Sequence, residues 1–100
     1  MKLGNDHLES KTEELLRRRI RKAGGYAIKF FPVIAGLPDR LVFLPMGRLY
    51  LVELKQEGEK PRPIQKVWHA RFAAIGFPVV VLDSKQAVSD WADLVADPWD

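Results

Sequence analysis

The segment Leu49-Tyr50-Leu51-Val52-Glu53-Leu54-Lys55 reads as a core strand that ends in charge. Side chains two apart share a face of a strand. Leu49, Leu51, Glu53 and Lys55 therefore point one way, and Tyr50, Val52 and Leu54 the other. Taking a carboxylate and an ammonium out of water is expensive unless each is paired or coordinated. A fold that buries this strand must bring both groups a partner, and the plainest solution is an ion pair at a fraying strand end.

The segments around it set the architecture. Asp6 to Ala23 carries Leu8, Leu15, Leu16, Ile20 and Ala23 at helical spacing, with Asn5 or Asp6 as cap and Gly24-Gly25 as the stop. Tyr26, Ile28 and Phe30 alternate with Ala27, Lys29 and Phe31 as in a half-buried strand, and Pro32 ends the run. Leu41 to Leu44 is a short apolar strand, and Pro45-Met46-Gly47 turns the chain into Leu49–Lys55. The charged stretch from Gln56 to Arg62 is a loop. Pro63 then opens a helix with Ile64, Val67, Trp68, Phe72 and Ile75 as its apolar stripe. Pro78 to Leu82 is a buried strand, and Ser84 caps a last helix bearing Val88, Trp91, Leu94 and Val95. The order is α-β-β-β-α-β-α. A hairpin joins the middle strands, and a crossover through the second helix returns the chain to a parallel neighbour. This predicts a single α/β domain over residues 1–100, with a mixed sheet and helices on its faces.

Composition narrows the function classes. No apolar run approaches a membrane span, and the N-terminal residues lack the apolar centre of a signal peptide. The absence of cysteine rules out disulfides and thiolate metal sites, and two lone histidines make no zinc pattern. A cytoplasmic location, in a bacterial or phage-infected cell, fits these features. The net charge of +3 permits a polyanionic partner, and its distribution is uneven. Arg17, Arg18, Arg19, Arg21 and Lys22 cluster, as do Lys55, Lys60, Arg62 and Lys66, whereas the C-terminal stretch is acidic. Such clusters are often only solvated helix faces.

Asp39 gives the charged strand end a chemical meaning. It follows Gly36-Leu37-Pro38 and precedes the strand Leu41 to Leu44, whose hairpin runs into Glu53. In an antiparallel pair the start of one strand lies beside the end of the next, so Asp39 and Glu53 should converge at one edge of the sheet. Asp39 could equally be an ordinary turn residue. Two carboxylates and a lysine meeting at one place suit a hard divalent cation, because Mg²⁺ commonly takes one or two carboxylates plus waters and substrate phosphate.

Asp39 followed by Glu53-Leu54-Lys55 matches the P-D-(D/E)-x-K signature. The string Gly36-Leu37-Pro38-Asp39 resembles the G-x-P-D element of VRR-NUC domains, and Gln65 resembles the glutamine those domains carry in the following helix. The resemblance runs from about Glu9 to Asp83. It implies a restriction-endonuclease-like three-layer core and a nuclease dependent on Mg²⁺ or Mn²⁺. Asp39, Glu53 and the Leu54 carbonyl would hold the ion, Lys55 would position the nucleophile, and Gln65 would orient a water or a ligand.

The resemblance also implies an acid on the first helix. Relative to Leu8, Glu9 falls at about 100°, inside the apolar arc, Glu13 at about 140°, at its edge, and Glu14 at about 240°, in solvent. Glu9 and Glu13 both remain candidates, as metal ligands or through water. The plain alternative is a helix-face acid paired with Arg17 or Lys11. Lys29, Arg40, Lys60, Arg62, Lys66 and His69 are candidates for contact with DNA, with His69 on the surface. Trp68, Trp91 and Phe72 read as core rather than base-stacking platforms. Small proteins of this kind resemble junction-resolving enzymes, which implies a homodimer that cuts four-way (Holliday) junctions. The alternatives are a flap or nicking nuclease without junction preference, or a non-catalytic DNA-binding module on the same fold.

Overall fold

The computed structural model describes residues 5–96, with side chains from residue 11 onward. Its elements are α1 (Asn5–Lys22), β1 (Tyr26–Lys29), β2 (Arg40–Leu44), β3 (Arg48–Leu54), α2 (Pro63–Ala74), β4 (Val79–Leu82) and α3 (Lys85–Ala96). The sheet order is β1-β2-β3-β4, with the first two pairings antiparallel and the last parallel. The element order and the mixed sheet follow the sequence expectation.

Local chemistry explains the boundaries. Basic Arg19, Arg21 and Lys22 occupy the last turn of α1, where cations complement the helix dipole. Gly24 then takes φ +93°, and the Gly25 N–H donates to the Ile20 carbonyl at 3.0 Å, closing the helix end. A side chain at Gly25 would lie 2.0 Å from the Phe43 carbonyl, so only glycine lets α1 turn so tightly into β1. At the start of α3, the Ser84 hydroxyl accepts from the Ala87 N–H at 3.0 Å, as the cap reading required.

One face of the sheet is closed. Leu16 and Ile20 of α1, Val42 and Leu44 of β2, Val52 and Leu54 of β3, Leu82 of β4, and Val88 and Val95 of α3 form the buried core. Trp91 packs edge-on against Tyr50 beside it, and the Arg19 guanidinium bonds the Asp93 carboxylate between α1 and α3.

Among the described residues the opposite face carries only α2, which meets the sheet chiefly at β4. Two expectations change here. The large residues of β1 face outward: Tyr26 and Ile28 are exposed, while Ala27 is half-buried against the core. A small residue lets α1 approach the strand closely, so Ala27 takes the inner position. The apolar stripe of α2 is also only partly covered: Ile64, Val67 and Ile75 are exposed. Trp68 and Phe72 are half-buried against each other, with Arg71 over the Trp68 ring. Among the described residues no helix is long and apolar enough to cross a membrane.

Candidate active site

The hairpin register brings the acids together. Leu41 lies opposite Leu51 and Arg40 opposite Val52, so one step further Asp39 falls opposite Glu53, on the face away from the α1–α3 core. Asp39, Arg40, Glu53, Leu54, Lys55, Arg62 and Gln65 line one cleft of about 420 Å³. The Gly36-Leu37-Pro38 approach to Asp39 is wedged against α2. Gly36 has φ +92°, and a Cβ there would meet the Ile64 carbonyl oxygen and Cγ1 at 2.8 Å each. This loop can pass the start of α2 only with a glycine.

Glu53 is buried, at 4% exposure. Its Oε2 lies 3.5 Å from the Lys55 Nζ, beyond good hydrogen-bond geometry, and has no hydrogen-bond partner. Its Oε1 lies 3.3 Å from the His69 Nε2. Lys55 donates instead to the Gln65 Oε1 at 2.9 Å, and the same oxygen accepts from the Arg62 main-chain N–H at 2.7 Å. Gln65 thus satisfies an orphan donor at the start of α2 and fixes the lysine over Glu53.

A second network lies beyond the strand edge. The Arg40 Nη1 donates to the Asp39 Oδ1 at 2.8 Å, and its Nε and Nη2 reach the Glu13 Oε2 at 3.1 and 3.0 Å. Glu13 therefore pairs with Arg40 rather than with Arg17 or Lys11. Glu14 is exposed and reaches Arg18, as its position on the helix requires. The side chain of Glu9 lies outside the described residues.

Two placements correct the sequence reading. Arg40, expected to face DNA, is 3% exposed and engages the Asp39 and Glu13 carboxylates. Its parity sets it with Val42 and Leu44, toward α1. His69, expected on the surface, is half-buried against Glu53. It follows Gln65 by four residues and so shares that residue's helix face. Sequence reasoning also passed over Glu59, which lines the cleft and accepts from the Gln56 N–H at 3.0 Å. Lys29, Lys60, Arg62 and Lys66 are exposed, with the Lys29 ammonium over the Phe31 ring at 5.5 Å.

The donor set fits a hard divalent cation. A buried carboxylate oxygen without a hydrogen bond is costly, and at Glu53 it sits in a cleft that Asp39 and Leu54 also line. Among the described residues no three carboxylate or imidazole side chains form a closed cage. Mg²⁺ does not require one, because it retains waters and takes substrate oxygens.

Comparison with known proteins bears on the fold and the family. No protein-family model matches the chain. The chain is 49% identical over 82 residues to "Putative nuclease p44" of Acyrthosiphon pisum secondary endosymbiont phage 1, covering 81% of this chain and 88% of that protein. A solved structure described as "VRR_NUC domain" superposes with a TM-score of 0.79 at 32% identity, covering 87% of this chain and 96% of the other. The chain belongs to the VRR-NUC family. The VRR-NUC fold accounts for the mixed sheet and three helices found here. Asp39 and Glu53-Leu54-Lys55, from the two P-D-(D/E)-x-K elements that carried the resemblance, line the same cleft of this VRR-NUC chain.

Proposed function

We propose that this chain is a nuclease that hydrolyses DNA phosphodiesters with the help of Mg²⁺ or Mn²⁺, and that as a homodimer it resolves four-way junctions. The convergence of Asp39, Glu53 and Lys55 on one cleft, with a buried Glu53 oxygen that has the Lys55 ammonium 3.5 Å away but no hydrogen-bond partner, carries the reading. Membership of the VRR-NUC family supports the nuclease activity, and the phage relative supports action on DNA inside a bacterial cell.

Asp39, Glu53 and the Leu54 carbonyl would hold the ion, with Glu13 or Glu9 contributing directly or through water. A divalent ion bound there supplies charge stabilisation for the phosphate and acidifies water. Lys55, held by Gln65 at 2.9 Å, would orient the attacking water and offset negative charge. The water oxygen would bond to phosphorus as one ester P–O bond breaks, the water giving up a proton to solvent and the departing sugar oxygen taking one up to leave as a hydroxyl. Exposed Lys29, Lys60, Arg62 and Lys66 are available for phosphate contacts, which makes binding salt-dependent.

Two-fold assembly matches a symmetric substrate that needs two cuts, and the part of the sheet face that α2 leaves open supports it. Its side chains form continuous cross-strand rows: Tyr26, Phe43 and Leu49 in one, and Ile28, Leu41, Leu51 and Val79 in the next. Such surfaces mark interaction sites.

The test is cleavage of a synthetic four-way junction beside linear duplex, flap and single strand, with Mg²⁺, Mn²⁺ or a chelator. Junction resolution that chelation abolishes is expected. Equal cutting of flap and junction would indicate a nicking or flap nuclease, and binding without any cutting would indicate a DNA-binding module. Asp39→Ala should lower the rate by more than about 1,000-fold, beyond the usual cost of removing one charge-stabilising group. A folded Asp39→Ala protein of full activity would remove the site.

A further inference from the structure

Arg40 is a buried charge that hydrolysis at this cleft does not use directly. Its guanidinium is 3% exposed and spans two elements, holding the Asp39 Oδ1 at 2.8 Å and the Glu13 Oε2 at 3.0 Å. A buried ion pair stabilises a fold little compared with an apolar replacement, so stability alone is a weak reason for this group. Geometry gives a better one. Asp39 lies just outside the start of β2, where an aspartate side chain has freedom to rotate. The planar guanidinium takes one of its two oxygens and thereby fixes the direction of the other. The Glu13 Oε2 in turn accepts from Nε of the same arginine and pairs with its Nη2, which orients the guanidinium from α1.

We infer that Arg40 is a positioning residue that presents Asp39 to the divalent ion, and that Glu13 acts on the site through Arg40, as its counter-charge, rather than as a ligand. The inference rests on the metal-nuclease reading and assigns the helix acid a different part within it. The charge arrangement suits that part. One cation between two carboxylates reduces their repulsion before any ion arrives, so the site is set in advance.

The experiment measures Mn²⁺ affinity by calorimetry without DNA, on wild type, Arg40→Lys, Glu13→Gln, the double variant and Asp39→Ala, each checked for folding by circular dichroism. Arg40→Lys keeps the charge and loses the planar fork. It should weaken Mn²⁺ binding by about 10- to 100-fold, as loss of partners that orient metal ligands does, and excess Mn²⁺ should restore most of the cleavage rate. Glu13→Gln should weaken binding by a similar or smaller factor. The double variant should be no worse than Arg40→Lys alone, because members of one network are not additive.

Unchanged Mn²⁺ affinity in folded Arg40→Lys overturns the positioning role. A larger loss in Glu13→Gln than in Arg40→Lys, or additive losses in the double variant, makes Glu13 a ligand and overturns its part. If wild type and Asp39→Ala bind Mn²⁺ equally, the metal site itself is wrong and the inference falls with it, a result distinct from the other two.

Discussion

At the scale of single residues, the cleft works through side chains that hold other side chains. Gln65 shows this most simply, since one oxygen serves both the Lys55 ammonium and the Arg62 N–H. Gln65→Leu leaves two donors short of an acceptor. It should cost about 1–3 kcal/mol of stability and slow single-turnover cleavage by about 10- to 100-fold. Gln65→Glu keeps an acceptor and should recover part of the rate, and a Leu variant as fast as wild type would show that Lys55 needs no such support. That Asp39, Glu53, Lys55 and Gln65 meet at one cleft was legible in the sequence because their signals are local: the parity of one strand, the reach of one hairpin, a position in one helical turn. Arg40 and His69 were misplaced because their partners come from elsewhere in the chain. Arg40 is adjacent to Asp39, yet its engagement depends on α1 lying alongside β2. His69 was read as turning outward, although a step of four residues rotates a helix position by only about 40° and leaves it above Glu53.

At the scale of elements, the approach to Asp39 depends on how closely two backbones pass. Gly36 combines positive φ with contact against the Ile64 carbonyl, whereas Gly47 in the β2–β3 turn has positive φ and open space around it. Gly47→Ala should therefore cost only the conformational penalty, about 1–2 kcal/mol, and leave cleavage intact. Gly36→Ala should cost more in urea unfolding and also reduce cleavage, because relief of the clash moves the loop that ends in Asp39. Equal losses for the two variants would mean that the loop is free to shift away from α2. The elements themselves could be read from Gly, Pro and capping residues, since these act on their own neighbours. The face of β1 could not. Tyr26, Ile28 and Phe30 offer a larger apolar set than Ala27 and Lys29, and only the packing of α1 decides that the small residue goes inside.

At the scale of the whole molecule, the two sides of the sheet differ in how completely the chain covers them. α1 and α3 seal one side around Leu16, Ile20, Val42, Val52 and Val88, all without solvent exposure. The other side leaves Tyr26, Ile28, Phe43, Leu49 and Val81 between 37% and 56% exposed, and no described charged side chain interrupts the rows that the first four of these begin. A second protomer laid over those rows would remove apolar surface from water at about 25 cal/mol per Å². Each protomer would keep its own Asp39, Glu53 and Lys55, since these side chains come from one chain and lie at the rim. Phe43→Lys and Ile28→Lys place a charge within the rows and leave the sealed core untouched. Wild type should sediment as a dimer, and both variants should stay folded and sediment as monomers. They should still nick DNA singly while failing to make the paired cuts that resolve a junction. Dimers that survive both substitutions would move the interface to another surface. Loss of single nicking in a folded monomer would show instead that one cleft needs its partner for chemistry.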